Sequence, residues 1–245
     1  MSPRYQAVTF DAGGTLFHME RPVGEVYSEF ASKFGCQTDP KILEIKFQDL
    51  FRKNSASSAD AGHLTPEDER KWWKALVHEL FHSGGDVIPE FDRFFDELHE
   101  YFAQPGLWKM YPEAQEVLEK LNAAGVRMAI VSNWDTRLPM LLSRLGVDRF
   151  MKAVVVSAIE GASKPDRRIF GIALDRLGIP AGLVVHVGDS MRDDIRGAMA
   201  AGLGAIWLKR DAVGAGAGEG EMAREKNGFD TARDLKEAAR FILES

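Results

Sequence analysis

Two aspartates of this 245-residue chain, Asp11 and Asp189, each follow a short apolar run, at residues 5–10 and 183–187. If both runs are strands of one sheet, the two carboxylates face each other and repel. A hard divalent cation such as Mg²⁺, which prefers oxygen ligands, removes that electrostatic cost. A carboxylate can also act as a covalent nucleophile. The pair therefore predicts nucleophilic or metal-assisted chemistry at the ends of two strands.

Polar groups suited to an anion follow other apolar runs of the chain. Ser132 and Asn133 come after residues 126–131, and Lys164 lies beyond residues 153–156. A lone polar residue at such a place is usually a turn former or a helix cap. Four polar strand ends in register are harder to explain by capping. Together with the backbone N–H groups of the glycine turn after the first strand, they predict a pocket for a negatively charged transferring group.

The elements that would position these groups alternate along the chain after residue 108. Nearly continuous apolar strands that alternate with helices are typical of a parallel sheet covered on both faces. Ligands of such sheets bind at the carboxyl ends of the strands. The predicted strands are 5–10, 126–131, 153–156, 183–187 and 205–208, and the predicted helices are 112–124, 136–145, 166–177, 192–201 and 231–243. We therefore expect an α/β fold with a Rossmann-like parallel-sheet core.

A helical segment interrupts this pattern between the first strand and the rest. Its four amphipathic stretches each begin near a proline, which suits a first helical turn. They cover residues 22–34, 40–53, 66–82 and 89–102. A block that consists of helices should pack as a small bundle. We predict a core from 1–16 and 109–245, with an inserted α-helical cap domain at 17–108.

Composition limits the classes of partner and compartment. The net charge of −6 at pH 7 argues against a chain-wide nucleic-acid surface. The single cysteine, Cys36, excludes an intramolecular disulfide and a zinc cluster built from cysteines. The sequence contains no apolar run near the ~18 residues of a membrane helix and no signal-peptide plan. We expect a cytoplasmic monomer or homodimer with a small anionic substrate, no membrane or nucleic-acid partner, and a flexible glycine-rich loop at 214–220.

Four motifs resemble those of the haloacid dehalogenase (HAD) superfamily. They are VTFDAGGTL around Asp11, AIVSN ending at Asn133, SKPD around Lys164, and VHVGDSMRDDIRGAMAAG around Asp189. Their order and spacing fit across the whole α/β part, and the helical segment stands where the helical-cap (C1) subgroup places its cap. The resemblance implies a HAD-like hydrolase that works through an aspartyl intermediate.

The resemblance also implies roles for individual residues. Asp11 is the nucleophile, and Ser132 or Asn133 with Lys164 binds the phosphoryl or carboxylate oxygens of the substrate. The implied catalytic set is thus Asp11, Ser132, Asn133 and Lys164, and the implied substrate-binding set is Gly14, Thr15, Ser132, Asn133 and Lys164.

The cofactor that the resemblance implies is Mg²⁺. Asp189 binds the ion, Asp194 supports it directly or through water, and Asp193 is the alternative at the neighbouring position. Asp11 and the carbonyl of Gly13 complete the implied metal site.

One position departs from the pattern of the family's phosphatases. Those enzymes carry a second aspartate, the general acid and base, two residues after the nucleophile, where this chain has Gly13. Glycine cannot protonate a leaving alcohol, and a positioned acid or base contributes about 10²–10⁴-fold. The first hypothesis is therefore a Mg²⁺-dependent phosphatase for a small phosphorylated metabolite, with a weaker or displaced acid, for which His18 and Glu20 are nearest.

Two other hypotheses stay open. A 2-haloacid dehalogenase needs no acid, because halide leaves without a proton, and DAGGTLF resembles the first motif of those enzymes. They do not use the metal aspartate that Asp189 supplies, and Arg21 or Arg52 would have to bind the halide. The third hypothesis is a binding or regulatory protein with little catalysis, since a fold alone does not establish activity.

Overall fold

The computed structural model describes residues 3–58, 65–83, 85, 87–210 and 228–244, so the loop predicted at 214–220 lies outside the described residues. The strands, in chain order, are β1 (Ala7–Phe10), β2 (Phe17–Met19), β3 (Trp108–Met110), β4 (Arg127–Ser132), β5 (Met151–Val156), β6 (Val184–Gly188), β7 (Gly204–Leu208) and β8 (Asp230–Ala232). The main helices are α1 (Val23–Lys33), α2 (Pro40–Ser58), α3 (Pro66–His82), α4 (Phe91–Phe102), α5 (Ala114–Ala123), α6 (Leu138–Arg144), α7 (Ser157–Glu160), α8 (Arg167–Leu177), α9 (Gly197–Ala200) and α10 (Leu235–Leu243), with a π-helical turn at Met191–Arg196.

Six strands form one parallel sheet in the order β5-β4-β1-β6-β7-β8. β1 lies in the middle of this sheet although both of its neighbours come much later in the chain. Val8 of β1 pairs with Met128 of β4 on one side and with Val185 of β6 on the other. The predicted α/β fold with a Rossmann-like parallel sheet is confirmed. The residues that follow β1 consequently lie between the ends of β4 and β6.

Both faces of the sheet are covered by apolar contacts. Successive side chains of a strand point to opposite faces. Val8 and Phe10 belong to a cluster that includes residues of α5 and α10, whereas Ala7 belongs to a second cluster that includes Phe170 of α8. Burial on two sides explains why the strands are nearly continuous apolar runs in the sequence.

The helices α1 to α4 have a hydrophobic cluster of their own, which includes Val26, Leu80 and Phe94. A capping box begins α3, because the Thr65 side chain accepts the N–H of Asp68 and the Asp68 carboxylate accepts the N–H of Thr65. The chain enters and leaves this helical segment through the antiparallel ribbon of β2 and β3. Among the described residues, no helix combines the length and the apolar character needed to cross a membrane.

The sequence does not predict β2, β3, α7 or the edge strand β8. The prediction of a helix at 231–243 is wrong at its start, because Thr231 lies in β8 and pairs with Trp207 of β7. The helix begins at Leu235, where the Asp234 side chain caps it by accepting the N–H of Glu237. Strands of three residues are too short to show a period of two, although a β-branched residue such as Thr231 fits a pleated edge.

Candidate active site

Asp11 lies buried at the point where β1 ends. Its backbone N–H donates to the carbonyl of Val187 at 2.9 Å, so the end of β6 fixes its position. Its Oδ1 accepts hydrogen bonds from Ser132 Oγ at 2.9 Å and from Lys164 Nζ at 2.6 Å. The structure thus brings together three of the residues that the sequence predicts as one site.

Lys164 bridges two buried carboxylates, because its Nζ also donates to Asp194 Oδ1 at 2.6 Å. Burial opposes the charge on Lys164, but the two carboxylates outweigh it and raise the pKa of the ammonium. Burial also opposes the charge on Asp194, but Lys164 and His186 outweigh it and hold the pKa of that carboxyl well below its ordinary value. At Asp11 burial is the stronger effect and raises the pKa of the carboxyl.

Buried polar groups form a hydrogen-bonded chain that ends at Asp194. His186 Nε2 lies 3.0 Å from Asp194 Oδ1, and His186 Nδ1 lies 2.8 Å from Thr9 Oγ1. The backbone N–H of Ser190 donates to Asp194 Oδ2 at 2.8 Å. Sequence reasoning missed Thr9 and His186, although each is a polar residue inside an otherwise apolar strand. The register of β1 and β6 places these two residues side by side.

Asp189 follows β6 directly and lies at the solvent-exposed mouth of the site. Desolvation by the surrounding protein raises the pKa of this carboxyl most, and the charges of Asp11 and Asp194 add to the effect. Together they raise it to about 7. Gly14 lies against it with φ +76°, and a Cβ at this position would collide with the Asp189 carboxylate. The turn after Asp11 therefore requires glycine for its left-handed backbone and for its closeness to Asp189.

The residues present fit a divalent metal ion. Asp11, Asp189 and Asp194 each offer a carboxylate oxygen, and these oxygens lie within 4.8 Å of one another. The one ammonium among them, that of Lys164, pairs with Asp11 and Asp194, so the carboxyl groups of the cluster outnumber its cation. Oxygen ligands with this charge suit a hard cation such as Mg²⁺. The contribution of the Gly13 carbonyl stays a prediction.

The other predicted site residues have different surroundings. Asn133 Nδ2 donates to the carbonyl of Lys164 at 2.9 Å, and Asn133 Oδ1 accepts the N–H of Lys164 at 2.7 Å, so this amide holds the lysine loop. Thr15 is fully buried, and its hydroxyl has no hydrogen-bond partner among the described residues. Asp193 lies outside the carboxylate cluster and lines a neighbouring cavity. Direct contacts of Asn133, Gly14 and Thr15 with a substrate stay predictions.

The structure offers a physical reason for the glycine at position 13. A Cβ on Gly13 would lie 2.6 Å from the ring of Trp134, closer than real Cβ atoms come to other atoms. The indole is held in turn by Phe17 and Trp108, whose ring centroids lie 5.6 and 5.1 Å from its own. An aspartate at this position therefore requires the indole to move.

The residues proposed as a displaced acid or as a halide ligand have other partners. Glu20 forms a surface ion pair with a lysine of β3. His18 Nδ1 lies 2.8 Å from the carbonyl of the next residue. Arg21 pairs with a glutamate of α1 at 2.8 Å, and the side chain of Arg52 lies outside the described part of the chain.

A cavity of about 410 Å³ lies beside the carboxylate cluster. Its wall combines side chains of α1 to α4 with residues that follow β4 and β5, among them Asn133 and Trp134. Asn133 lines the cavity and directly follows Ser132, which donates a hydrogen bond to Asp11. The cavity therefore lies close to Asp11. The arrangement places an anion-binding corner next to a pocket for the rest of a ligand.

Comparison with known proteins matches this chain to one family, and the similar solved structures include both a dehalogenase and a phosphatase. A family model for haloacid dehalogenase-like hydrolases matches residues 5–202. The Mus musculus protein named haloacid dehalogenase-like hydrolase domain-containing protein 3 is 33% identical over 199 residues, which cover 80% of this chain and 78% of the relative. A crystal structure of a dehalogenase with an intermediate complex has a TM-score of 0.73 at 21% identity, covering 100% of both chains.

A HAD phosphatase from Thermococcus onnurineus is similar in the same way, with a TM-score of 0.63 at 22% identity over 96% of both chains. At this level of identity the two solved structures show the fold, and they do not choose between the two activities.

Proposed function

The chain belongs to the haloacid dehalogenase-like hydrolase family, and on that premise we propose that it is a Mg²⁺-dependent phosphatase for a small phosphorylated metabolite. The observation that carries the proposal is the charge of the cluster, in which three carboxylate oxygens lie within 4.8 Å of one another and only two of the carboxylates pair with the buried ammonium of Lys164. A divalent cation balances that charge. With such an ion held by these carboxylates, Lys164 would bind a phosphoryl group without repulsion from bare carboxylates.

Asp11 is the nucleophile of the proposed reaction. Its Oδ1 accepts the bonds from Ser132 and Lys164, so Oδ2 is the oxygen that attacks phosphorus. The bond from Oδ2 to phosphorus forms while the bond from phosphorus to the ester oxygen breaks. Lys164 offsets the negative charge that develops on the phosphoryl oxygens. Water then attacks the aspartyl phosphate, which releases inorganic phosphate and restores the carboxylate.

The metal ion would be held by the carboxylates of Asp11, Asp189 and Asp194. When bound, it supplies Lewis acidity toward a phosphoryl oxygen. His186 and the N–H of Ser190 fix the direction of Asp194, so the site is built before any ligand arrives.

We assign residues 17–108 the role of a cap and residues 1–16 with 109–245 the role of the core. Support comes from the cavity, since side chains of α1 to α4 and of the loops after β4 and β5 both line it. A cap in this position excludes water from the aspartyl intermediate and selects the organic part of the substrate.

Phosphate release from a panel of monoesters, measured with and without a chelator, tests the function. Asp11→Asn should abolish release while the protein stays folded, and full activity of this variant would overturn the nucleophile. Chelation should remove the activity of the wild-type protein. Halide release from 2-haloacids that resists the chelator would select dehalogenase chemistry instead, and release of neither product would favour a binding or regulatory role.

A further inference from the structure

The wall of the cavity beside the carboxylate cluster is aromatic. Four of the chain's five tryptophans line it, namely Trp72, Trp73, Trp108 and Trp134. Phe51 of α2 also lines it and stacks on Trp73, with ring planes 21° and ring centroids 5.8 Å apart. Aromatic side chains attract a flat ring through their faces and edges. At about 410 Å³ the cavity has the size of small-molecule sites.

The charged groups of the cavity wall are paired or neutral. Glu69 accepts the backbone N–H of Thr136 at 2.9 Å and also its hydroxyl, and Asp135 pairs with Arg137. Burial, with help from the charge of Arg137, lowers the pKa of His99 to about 4, so this ring is neutral at pH 7. Among the described wall residues, no cation is therefore left unpaired to accept a second anionic group of a ligand.

The cavity and the proposed nucleophile share a border at Trp134. This residue lines the cavity, and its ring lies against Gly13, two residues after Asp11. A phosphate ester with its phosphoryl group at Asp11 therefore extends its organic part into the aromatic cavity.

The same border restricts the leaving group. With Gly13 next to the Trp134 ring, the chain places no acid at that position to protonate the ester oxygen. An alkoxide leaves poorly without a proton, because its conjugate acid has a pKa near that of water, about 15.7. A phenolate leaves far more readily, since phenols such as tyrosine have a pKa of about 10. The aromatic cavity wall and the missing acid thus both favour an aryl phosphate as the substrate.

We propose that the substrate is a phosphate monoester of a flat aromatic alcohol that carries no second anionic group. This inference rests on the proposed phosphatase function and names its substrate class. In the first step the bond from Asp11 Oδ2 to phosphorus forms and the bond from phosphorus to the aryl oxygen breaks. The electron pair leaves with the aryl oxygen, which takes a proton from water, and a second water releases the phosphate from Asp11.

Binding of two phosphonates tests the substrate class apart from turnover. Phenylphosphonate and methylphosphonate resist hydrolysis and carry similar charges, but only the first has a ring. With Mg²⁺ present, calorimetry should give phenylphosphonate about tenfold tighter binding. Phenylphosphonate should also change the tryptophan fluorescence.

Two variants of α2 localise the binding. Phe51→Ala should weaken phenylphosphonate binding about fivefold, because a stacked ring of the wall is lost. Ile45→Ala, at an exposed position of the same helix that does not line the cavity, is the matched control and should leave both affinities unchanged. Equal loss in the two variants would overturn the placement of the ring.

Turnover completes the test. We expect kcat/KM for phenyl phosphate to exceed that for ethyl phosphate about 100-fold, the size of effect that a missing acid produces. Equal binding of the two phosphonates, or equal kcat/KM for the two esters, overturns the substrate class and leaves the phosphatase function standing. Tight binding of phenylphosphonate without phosphate release from either ester overturns the phosphatase function itself.

Discussion

At the scale of single residues, the site depends on two glycines that leave room for a neighbour. Gly13 borders the ring of Trp134, and Gly14 borders the carboxylate of Asp189. In both places a Cβ would enter space that a side chain of the candidate site already fills. Packing therefore explains the two glycines of the DAGG turn.

Gly14→Ala should cost both stability and metal affinity. The matched control is Gly125→Ala, because Gly125 has nearly the same φ, +74° against +76°, but a Cβ there would meet open space, with no neighbour within 4 Å. The control should lose about 1 kcal/mol of unfolding free energy from its backbone alone. Gly14→Ala should lose more, and its Mg²⁺ affinity should fall about tenfold, because the methyl group displaces Asp189. Urea unfolding and calorimetry measure the two effects, and identical behaviour of the variants would contradict the role of Gly14.

At the scale of elements, α4 carries a buried face of Phe94, Phe95 and Leu98, and His99 follows on the cavity side. Since burial lowers the pKa of His99 from 6.5 to about 4, the unfolded chain binds the proton more readily than the folded chain between these values. The contribution of His99 to stability should therefore be lost as the pH falls from about 6.5 towards 4. His99 is partly exposed, so we expect a loss of only about 1–2 kcal/mol from this group.

His99→Gln should flatten this part of the pH profile, because glutamine does not titrate. Urea unfolding at pH 7 and at pH 5 measures the difference between the two values for each protein. His78→Gln replaces an exposed histidine of α3 and is the matched control for the substitution. A profile of His99→Gln that matches the wild type would show that another group causes the loss.

The sequence predicts the site better than it predicts the contacts behind it. Asp11, Ser132 and Lys164 are foreseeable because strand ends of a parallel sheet meet at one edge, so local patterns suffice. The pairing of Thr9 with His186 depends on the register of two strands that lie 177 residues apart. Such a register is decided by tertiary packing, which no local pattern records.

The position of Trp134 against Gly13 is a further contact of this kind. Sequence reasoning finds the missing aspartate at position 13, but the indole that fills the space comes from the loop after β4. The prediction at Thr231 is wrong for a different reason, because its edge strand is too short for a periodic signal. The elements with long apolar patterns are therefore predictable, and the long-range contacts around the candidate site are not.

At the scale of the whole molecule, the chain and its candidate site are both negative. The net charge is −6, and the cluster of three carboxylates and one ammonium adds a local excess at the sheet edge. An anionic substrate would be repelled from such a cleft unless a cation reverses the local field. Metal binding and substrate binding should consequently be coupled in this protein.

Relief of that repulsion should also make Mg²⁺ stabilise the fold. A ligand present at about 100 times its Kd stabilises the native state by about 2.7 kcal/mol. For a chain of this size that raises the Tm by about 5–10 °C. The reference is NaCl at equal ionic strength, so that screening of surface charges does not contribute to the shift. Thermal unfolding of the wild type with each salt measures it.

Two aspartate variants decide which carboxylate carries this effect. Asp189→Asn should abolish the Mg²⁺-dependent rise in Tm, because Asp189 belongs to the carboxylate cluster. Asp193→Asn should retain it, because Asp193 lies outside that cluster and lines the cavity. The reverse pattern would move the metal ligand to Asp193, and an unchanged Tm in the wild type would contradict the metal site altogether. Since both variants replace a carboxyl group by its amide, a difference between them reports the position of that group.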